Sequence, residues 1–510
     1  MAHRLCSLVA RGITKNTIMC GILYVESRTA RPLSQHLTAL DRLQSRGPDF
    51  VRYRYNNTVF IAQTVLHITG SVDFYNQTRT DFFAYNGEIY NYQQHGPYHS
   101  DTELAYQAAR DNPDKFRLFE GPWAWVYWDG SRVTYASDPQ GEHYLYRYEN
   151  DDIVVVCSEV APILTYIESV KVQVEFLNKH WTMHEQTLWL GIKRLEPGRL
   201  YVNHVPDTVL DSVWSWIRPR SYPNQSAAEE EFSALWTRVM REMTPSCDTA
   251  ISYSGGIDSN LILIESPNSE LVATNMTGKD PIVDRIHDFL TPQQHAQLTV
   301  INVDAEHWAQ AFKDLLQHTQ MPVQSWSFVG KWIVAQNVKS RVVFSGIAAD
   351  ELFGGYEVYN HIQYKQDRSY SPYSEHCDLD LWNRCLNTYD GDAYLATLLA
   401  DYWSQIVGCD APGQDRISGA WGKETRNPFM NKRIMEFALN LPSEYRRGKP
   451  LLKSKFLKKF DQQLLLPKKG FTGHANDALP FLSIDIDVTG DRMQDWKTIT
   501  QQMFANLPVY

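Results

Sequence analysis

Residues 250–264 read AISYSGGIDSNLILI, and this stretch decides the fold of the second half of the chain. A short apolar strand pattern runs into a loop with two adjacent glycines, and a helical apolar pattern follows directly. Outward from it the same order repeats, since residues 270–276 (ELVATNM), 298–303 (LTVINV) and 341–344 (RVVF) each predict a buried strand. We therefore predict a doubly wound parallel sheet, with ligands at the carboxyl ends of its strands and a mainly helical part at the C-terminal end.

The glycine-rich loop has the features of a phosphate site. Gly255 and Gly256 let the backbone approach an anion closely. The amides at the start of the helix can then hold pyrophosphate together with Ser254 and Ser259. Asp258 can orient the loop or help to hold a metal ion. A plain glycine-rich turn is the alternative, and the strand–helix setting favours the phosphate site over it.

A second loop, residues 345–356 (SGIAADELFGGY), also follows a predicted strand. Asp350 and Glu351 offer oxygen ligands for Mg²⁺, the ion that neutralises the phosphates of ATP. A helix N-cap beside a solvated acid is the alternative for these residues. Two such loops at two strand ends of one sheet favour a nucleotide site. Further along, Lys449 can stabilise negative charge on a phosphate or an oxyanion, although its spacing alone is that of a surface lysine.

The first half of the chain follows a different pattern. Residues 20–203 consist mostly of short predicted strands, such as 20–25 (CGILYV) and 153–157 (IVVVC), with helices predicted at 33–44 and 103–111. Many short strands and few helices predict layered sheets flanked by helices, which is an αββα sandwich. The fold class of the whole chain is therefore α/β.

The chain divides into four predicted parts. The first 18 residues carry basic but no acidic side chains, which fits an organelle transit peptide or sequence upstream of a second start at Met19. Proline and polar residues mark a linker between the two domains. In order, the parts are residues 1–19 (leader or upstream extension), 20–210 (first domain), 211–226 (linker) and 227–510 (second domain).

Composition narrows the class of protein. With 21% charged residues and a net charge of −10, the chain lacks the positive field of a general nucleic-acid or anionic-membrane binder. No apolar run approaches the roughly 20 residues that a membrane helix needs. The scattered cysteines contain no CxxC pair, so neither a zinc ribbon nor a disulfide framework is indicated. We predict a cytoplasmic protein with small-molecule partners. The sequence leaves open whether the chain forms a homodimer. The seven cysteines are Cys6, Cys20, Cys157, Cys247, Cys377, Cys385 and Cys409.

Cys20 is a candidate nucleophile because it follows Met19. If Met19 is the initiator and is removed, Cys20 gains a free α-amino group. The reference pKa of that amine, about 7.7–8.0, suits a general base for the thiol. A buried strand cysteine is the alternative, and it holds if residues 1–18 remain attached.

Two further positions offer polar groups for the same chemistry. Asn86 and Gly87 can supply a side-chain amide and a backbone N–H to an oxyanion, and a hairpin turn is the alternative. Asp101 can bind a substrate ammonium group, and the N-cap of the helix that follows is the alternative.

Taken together and in this order, the motifs resemble those of the glutamine-hydrolysing asparagine synthetase family. The motifs similar to its class II, N-terminal-nucleophile glutamine amidotransferase half are residues 19–22 (MCGI), 46–49 (RGPD), 86–91 (NGEIYN) and 100–103 (SDTE). Those similar to its PP-loop ATP pyrophosphatase-type synthetase half are residues 254–259, 345–356, 415–429 (DRISGAWGKETRNPF), 448–449 and 468–471 (KKGF).

The resemblance implies a complete reaction. Cys20 would attack the side-chain amide of glutamine while Asn86 and Gly87 hold the oxyanion. Asn86, Glu88 and Asp101 would bind the glutamine. Ammonia would pass through an internal tunnel to the second domain. There ATP would adenylate a carboxylate, that of aspartate in the family, and ammonia would displace AMP to give the amide.

The resemblance also implies the ligands of ATP and Mg²⁺. Lys449 matches the family's catalytic lysine, and the metal would lie on Asp258 and Asp350. The implied ATP-binding residues are Ser254, Gly255, Gly256, Asp258, Ser259, Met276, Ser345 and Gly346.

Two departures from the family pattern affect the sites. Val65 stands where the family has an arginine for the glutamine carboxylate, and loss of that charge-assisted pair weakens glutamine binding. Ile347 stands where the family has a glutamate close to the acyl adenylate, and isoleucine carries neither charge nor proton. Asn431, where the family often has aspartate, is a milder change.

Three functions are therefore compared. The full motif set favours a glutamine-dependent asparagine synthetase. Ile347 favours a divergent amide or lactam ligase acting on another carboxylate. Val65 and Ile347 together favour a catalytically decayed binding or regulatory relative. Either enzyme requires that the 254–259 turn and the 345–351 turn meet around the phosphates of one nucleotide.

Overall fold

The structure is a computed structural model. It describes residues 19–68, 80–173, 185–276, 286–320, 327–360 and 379–465, together with Ala478, Phe481, Leu482 and Gln502. The predicted leader before Met19 and the 468–471 motif lie outside the described residues.

Two antiparallel sheets form the first domain, as the sequence predicts. The six-stranded sheet has the order β2-β3-β1-β8-β7-β9, and the five-stranded sheet has the order β11-β10-β6-β5-β4. The strands are β1 (Met19–Ser27), β2 (Phe50–Asn56), β3 (Val59–Leu66), β4 (Phe82–Gly87), β5 (Trp123–Trp128), β6 (Val133–Ser137), β7 (Tyr146–Glu149), β8 (Ile153–Cys157), β9 (Ile192–Arg194), β10 (Arg199–Val202) and β11 (Val205–Val209).

The alternation of side chains along β1 explains the layers. Ile22 and Tyr24 are buried against the five-stranded sheet, in one apolar cluster with Ala84 of β4. Leu23 and Val25 point the other way and join the helices in the main core. Because successive strand residues face opposite sides, β1 is buried on both faces, which places it at the centre of the domain. The helices here are α1 (Leu33–Asp41), α2 (Asp101–Asp111) and α3 (Val160–Leu164).

The second domain contains a five-stranded sheet in which every neighbouring pair is parallel. Its order, β14-β13-β12-β15-β16, starts from the centre at β12, moves to one edge and then returns to the other side. The point where the order reverses lies between β12 and β15, which is where such sheets bind ligands. The strands are β12 (Thr249–Ser252), β13 (Glu270–Asn275), β14 (Leu298–Asn302), β15 (Val342–Phe344) and β16 (Glu424–Arg426).

Helices surround this sheet and form most of the described stretch 379–465, so the helical character predicted for the C-terminal part is confirmed over that stretch. A π-helical segment, Tyr402–Asp410, joins two of these helices. The helices are α4 (Val213–Trp216), α5 (Gln225–Met243), α6 (Ile257–Glu265), α7 (Pro292–Gln297), α8 (Ala305–Thr319), α9 (Ser327–Asn337), α10 (Ala349–Phe353), α11 (Glu357–Asn360), α12 (Leu379–Thr388), α13 (Ala393–Asp401), α14 (Ala411–Ala420), α15 (Lys432–Leu439) and α16 (Pro450–Leu457). Short 3-10 turns occur at Gln44–Arg46, Tyr92–His95, Pro113–Leu118, Ile286–Phe289, Pro428–Met430, Ser443–Tyr445 and Gln462–Leu464.

The segment predicted as a linker contains ordered structure. Helix α4 lies within it, and Trp216 donates its indole N–H to Asp211 over 2.9 Å. Asn440, in the second domain, donates to the Trp216 carbonyl over 2.9 Å. This stretch therefore packs between the domains, and the boundaries at 210 and 226 stay a prediction.

Among the described residues, no helix is both long enough and apolar enough to cross a membrane. Cys20, Cys157, Cys247 and Cys409 are free thiols.

Candidate active sites

The glycine-rich loop lies where the sequence places it, between β12 and α6. Gly255 adopts a φ of +70°, a left-handed conformation in which a side chain would be strained. Ser254 Oγ lies 3.3 Å from Ser259 Oγ and accepts the Gly256 N–H over 3.3 Å. The loop thus gathers two hydroxyls and the free amides of a helix start, which are the donors that a phosphate needs.

The 254–259 and 345–351 turns lie side by side. β12 and β15 are hydrogen-bonded neighbours, with Ile251 opposite Phe344. A Cβ on Gly346 would lie 3.0 Å from the Cβ of Asp258, so the two turns touch. The two turns therefore meet, and the binding of a nucleotide between them stays a prediction.

Lys449 joins the two turns. Its ammonium nitrogen lies 2.7 Å from a carboxylate oxygen of Asp258 and 2.7 Å from one of Asp350. The lysine is only 5% exposed, so it is not the surface lysine that its spacing suggests. Asp258, Asp350 and Lys449 thus form one buried charged cluster. The two carboxylates follow two strand ends, and the ammonium group comes from about 100 residues later in the chain.

The backbone holds this cluster tightly. Lys449 has a φ of +59°, and its N–H donates to Phe353 O over 3.1 Å. A Cβ on Gly355 would lie 1.9 Å from Asp350 and 2.1 Å from the Lys449 side chain. Only glycine fits there, because any side chain would push the carboxylate and the ammonium apart.

The N-cap alternative for Asp350 and Glu351 is wrong. Helix α10 has Ala348 at its N-cap with no side-chain cap, and both acids are buried. Burial, with Asp350 close by, raises the pKa of Glu351 to about 8, and Tyr356 donates its hydroxyl to it over 2.9 Å. Glu351 therefore holds a proton at neutral pH, and Asp350 is the better metal ligand of the two.

The remaining predicted nucleotide residues border the same edge of the sheet. Met276 directly follows β13 and is buried, and Ser345 directly follows β15. The Ser345 hydroxyl donates to Gln414 over 3.4 Å. Their roles in binding ATP stay predictions.

The carboxylates of Asp258 and Asp350 fit a Mg²⁺ ion that is held mainly by phosphate. The described residues contain no group of three or more His, Cys, Asp or Glu that could hold a metal by themselves. Mg²⁺ is normally bound by one or two carboxylates together with substrate phosphates and water. The attraction of these two acids for Lys449 shows that they favour a cation between them.

Cys20 lies in the middle of the first domain, on β1. Its backbone N–H donates to Asn86 Oδ1 over 3.0 Å, and the residue is 0% exposed. Burial raises the pKa of the Cys20 thiol to about 12, although a hydrogen bond to Gln63 and the nearby Arg52 lower it. The thiol is therefore neutral at pH 7, and a base must remove its proton before it can attack.

Asn86 and Gly87 end strand β4, so the hairpin-turn alternative is wrong. Gly87 is paired with Trp123 across the sheet. Asn86 Nδ2 is buried and has no hydrogen-bond partner among the described residues. A buried amide group that is one bond short is suited to receive an oxyanion beside Cys20.

Asp101 lies close to the Asn86–Gly87 strand end. The N-cap of α2 is Ser100, which accepts the Glu103 N–H, so Asp101 is not the cap. Asp101 accepts the Ile89 N–H and the Tyr85 hydroxyl, each over 3.2 Å. Burial raises its pKa to about 6, and these hydrogen bonds oppose that rise.

Glu88 is committed to a partner that the sequence analysis missed. Arg426 of the second domain lies 3.1 Å from Glu88 and 2.6 Å from Glu424, and it is fully buried. Residues two apart, such as Glu424 and Arg426, do not face each other on a helix. They lie on the short strand β16, where residues two apart share a face. Arg426 thus connects the Asn86–Gly87 region to the carboxyl ends of β12 and β15, the predicted nucleotide edge. Its carbonyl accepts the N–H of Ser345, which follows β15, over 3.0 Å.

The two departures from the family pattern lie at the sites themselves. Val65 is directly opposite Cys20 in the β1–β3 pairing and is 0% exposed. Ile347 lies in the turn before α10 and packs partly against the main core. An apolar side chain thus lies beside the thiol, and another lies in the turn that carries Asp350.

A further ion network crosses between the domains near Cys20. Arg46, which is fully buried, lies 2.7 Å from Glu159 and 2.8 Å from Asp415 of the second domain. Asp415 also lies 3.1 Å from His143. The 46–49 and 415–429 motifs therefore meet each other.

Each half of the chain matches the model of a known protein family. Residues 19–214 match the family model of the glutamine amidotransferase domain, and residues 239–472 match that of asparagine synthase. The first match covers Cys20, Asn86 and Asp101, and the second covers Asp258, Asp350 and Lys449.

Individual relatives are distant. A Schizosaccharomyces pombe protein named "Probable asparagine synthetase [glutamine-hydrolyzing]" is 23% identical over 92% of this chain and 83% of its own length. The Sandersonia aurantiaca protein named "Asparagine synthetase [glutamine-hydrolyzing]" is 22% identical over 85% of this chain and 80% of its own length. The Penicillium rubens protein named "Amidase chyE" is 23% identical over 63% of this chain, and the match spans 55% of its own length.

Among solved structures, a glutamine phosphoribosylpyrophosphate amidotransferase from B. subtilis matches 56% of this chain and 81% of its own. The identity is 14% and the TM-score is 0.27. A TM-score this low supports no conclusion about fold or function.

Proposed function

We propose that this chain, whose two halves match the family models of the glutamine amidotransferase domain and of asparagine synthase, transfers the amide nitrogen of glutamine to the carboxylate of a second substrate. The reaction consumes ATP and releases AMP and pyrophosphate. Aspartate is the first candidate for the acceptor, which would make the product asparagine.

The observation that carries this proposal is the contact of Lys449 with Asp258 and Asp350, each over 2.7 Å. Adenylation needs positive charge on the phosphates of ATP and anionic groups that hold the metal. The cluster supplies both at the carboxyl end of a parallel sheet, beside a loop rich in N–H and O–H donors. Lys449 would stabilise negative charge on the phosphates of ATP, and Asp258 and Asp350 would hold a Mg²⁺ ion that neutralises phosphate charge.

In the first domain, Cys20 is proposed as the nucleophile. Its thiol is neutral at pH 7, so the α-amino group exposed by removal of Met19 would take the proton. Asn86 and Gly87 would stabilise the oxyanion, because Asn86 Nδ2 is buried beside Cys20 without another acceptor among the described residues. Asp101 would receive the ammonium group of glutamine. Glu88, whose carboxylate pairs with Arg426, would also bind the glutamine.

A second candidate is an amide or lactam ligase that acts on a different carboxylate. The observation that favours it is Ile347, an apolar residue in the 345–351 turn where the resemblance implies an acid, whose side chain packs against the main core. The similarity to a protein named amidase is consistent with a family that has diverged in its substrates.

The test is product analysis with purified protein whose N-terminal residue is Cys20. The protein is incubated with ATP, Mg²⁺, glutamine labelled with ¹⁵N in its amide, and aspartate, and AMP, pyrophosphate and ¹⁵N-asparagine are measured. Equal amounts of the three products support asparagine synthesis. Pyrophosphate release with another acid from a carboxylate panel, but not with aspartate, supports the second candidate.

Two variants make the outcome specific. Asp350→Asn should abolish pyrophosphate release while leaving glutamate release intact. Lys453→Met, an exposed lysine on α16, should change neither. No pyrophosphate release from the unmodified protein with any carboxylate, using glutamine or ammonium as nitrogen source, would refute the proposal.

A further inference from the structure

A buried carboxyl group at the boundary between the two domains forms no ion pair with any of the described residues. Glu142, in the loop after β6, is 5% exposed. Its Oε2 accepts the amide of Asn427, in the second domain, over 3.0 Å, and the contact of its Oε1 within the described part of the chain is a long one of 3.5 Å from Gln140. Among the described residues no Lys, Arg or His nitrogen lies within 4.0 Å of this carboxylate.

The neighbouring acid shows what a structural carboxylate looks like here. Asp138 is also buried, but it accepts the N–H groups of Glu142, His143 and Trp123 over 2.9, 2.8 and 3.3 Å. Its hydrogen bonds therefore fix the loop. Glu142 has no such set, so the fold does not explain why a carboxyl group is buried at this position.

Asn427 provides an independent sign of a missing ligand. It is 5% exposed, and its Oδ1 has no hydrogen-bond partner among the described residues, while its Nδ2 is used by Glu142. The same side-chain amide of Asn427 therefore donates to Glu142 through Nδ2 and carries an unsatisfied acceptor at Oδ1, counted over the described residues. A small molecule with several N–H groups would satisfy both oxygens.

The position of this pair relates it to both sites. Asn427 directly follows Arg426, whose side chain contacts Glu88 next to Asn86 and Gly87, and whose carbonyl binds the first residue of the 345–351 turn. Gln140 donates to the Gly121 carbonyl, and Gly121 packs against the Glu88 backbone. Contacts thus run from the Glu142–Asn427 pair towards the Cys20 region and towards the nucleotide edge.

We propose that Glu142 and Asn427 form a binding station for ammonia between the site that releases it and the site that consumes it. This inference rests on the proposed function. Ammonia offers three N–H donors, which suit Glu142 Oε1 and Asn427 Oδ1, and one lone pair. Burial, with Asp138 nearby, raises the pKa of Glu142 to about 8, so its hydroxyl can donate to that lone pair at neutral pH.

The experiment measures which nitrogen source reaches the product. The protein receives ¹⁵N-amide glutamine together with an excess of unlabelled ammonium chloride, and the ¹⁵N fraction of the amide product is determined by mass spectrometry. Glu142→Leu should lower that fraction, and raise the glutamate formed per amide, by about fivefold, the effect of losing one hydrogen bond. Glutamate release and amide formation from ammonium alone should stay near their wild-type rates.

The controls separate the station from general damage to the interface. Asp211→Asn removes another ion pair between the domains, that with Lys432 at 2.6 Å, and should leave the ¹⁵N fraction unchanged. Glu142→Gln and Asn427→Leu test the station if Glu142→Leu does not fold. An unchanged ¹⁵N fraction in the folded variants of Glu142 and Asn427 overturns the station. Failure of the wild-type protein to form any amide would instead overturn the proposed function.

Discussion

The two candidate sites hold their reactive groups in opposite ways. At the predicted nucleotide edge, charged side chains from three distant parts of the sequence come together, and the Lys449 ammonium lies between the carboxylates of Asp258 and Asp350. Around Cys20, the reactive group is a neutral thiol with an apolar neighbour, Val65, and a strand-end amide. The first site is formed by residues that the fold brings together, whereas the chemistry proposed for the second also needs a free α-amino group on Cys20. The four predictions below test this difference.

The largest effect is expected from Cys20→Ala. Loss of the nucleophile should lower glutamine-dependent amide formation by about 10⁴-fold or more, because the remaining groups cannot form a covalent intermediate. Amide formation from ammonium should persist. Cys157→Ala is the matched control, since Cys157 is another buried cysteine, on the neighbouring strand β8. Equal loss with both nitrogen sources would contradict the separate roles of the two sites.

Lys449→Met should affect both nitrogen sources alike. Removal of one preorganised positive group from a phosphate site costs about 10²–10³-fold in rate. The measurement is ATP–pyrophosphate exchange with the acceptor acid, and glutamate release from glutamine serves as the internal control. Asp258 and Asp350 would then repel each other, so the unfolding temperature should be recorded as well. Exchange at the wild-type rate would show that the cluster is structural.

Val65→Arg tests whether the first site lacks only a carboxylate anchor. Arginine opposite Cys20 can pair with the carboxylate of glutamine, so KM for glutamine should fall about tenfold, as expected for one charge-assisted hydrogen bond. Val65→Leu controls for side-chain size. A KM that stays the same in a folded Val65→Arg protein would mean that glutamine is held by other groups.

The smallest effect concerns stability and pH. Burial and Asp138 raise the pKa of Glu142 to about 8, so its protonated form favours the folded state. The stabilisation is therefore fully present below the unfolded pKa of about 4.3 and is lost as pH rises towards 8. Glu142→Gln removes this titratable group. The unfolding temperature of the variant should therefore decrease less than that of the wild-type protein between about pH 5 and pH 8. Glu444→Gln, an exposed substitution, should follow the wild-type curve.

Much of the fold could be predicted because its signals are local. The 250–264 stretch combines a strand, a glycine loop and a helix within 15 residues, and the parallel sheet follows from repeats of that pattern. The same stretch and the 345–356 loop located the nucleotide edge, since carboxyl ends of neighbouring parallel strands lie together. Lys449 was predicted through family resemblance, because its spacing carries no sign of its buried contacts.

Features that depend on distant contacts could not be predicted. Strand β16 has three residues, too few to show a period of two, so the pairing of Glu424 and Arg426 was missed. The Glu142–Asn427 contact joins residues 285 positions apart. A charged residue in a loop normally lies in solvent, and nothing in the sequence indicates that this loop becomes an interface.

The position of Arg426 affects whether the two halves of the chain can be expressed separately. Its guanidinium is shared between Glu88 of one half and Glu424 of the other, and it is completely enclosed. Separate expression of the two halves would leave Glu88 without its counter-ion in one fragment and uncover a guanidinium in the other. Each fragment should therefore be less soluble than the whole, and exchange of either half with that of a relative should succeed only when this arginine and its glutamates are transferred together.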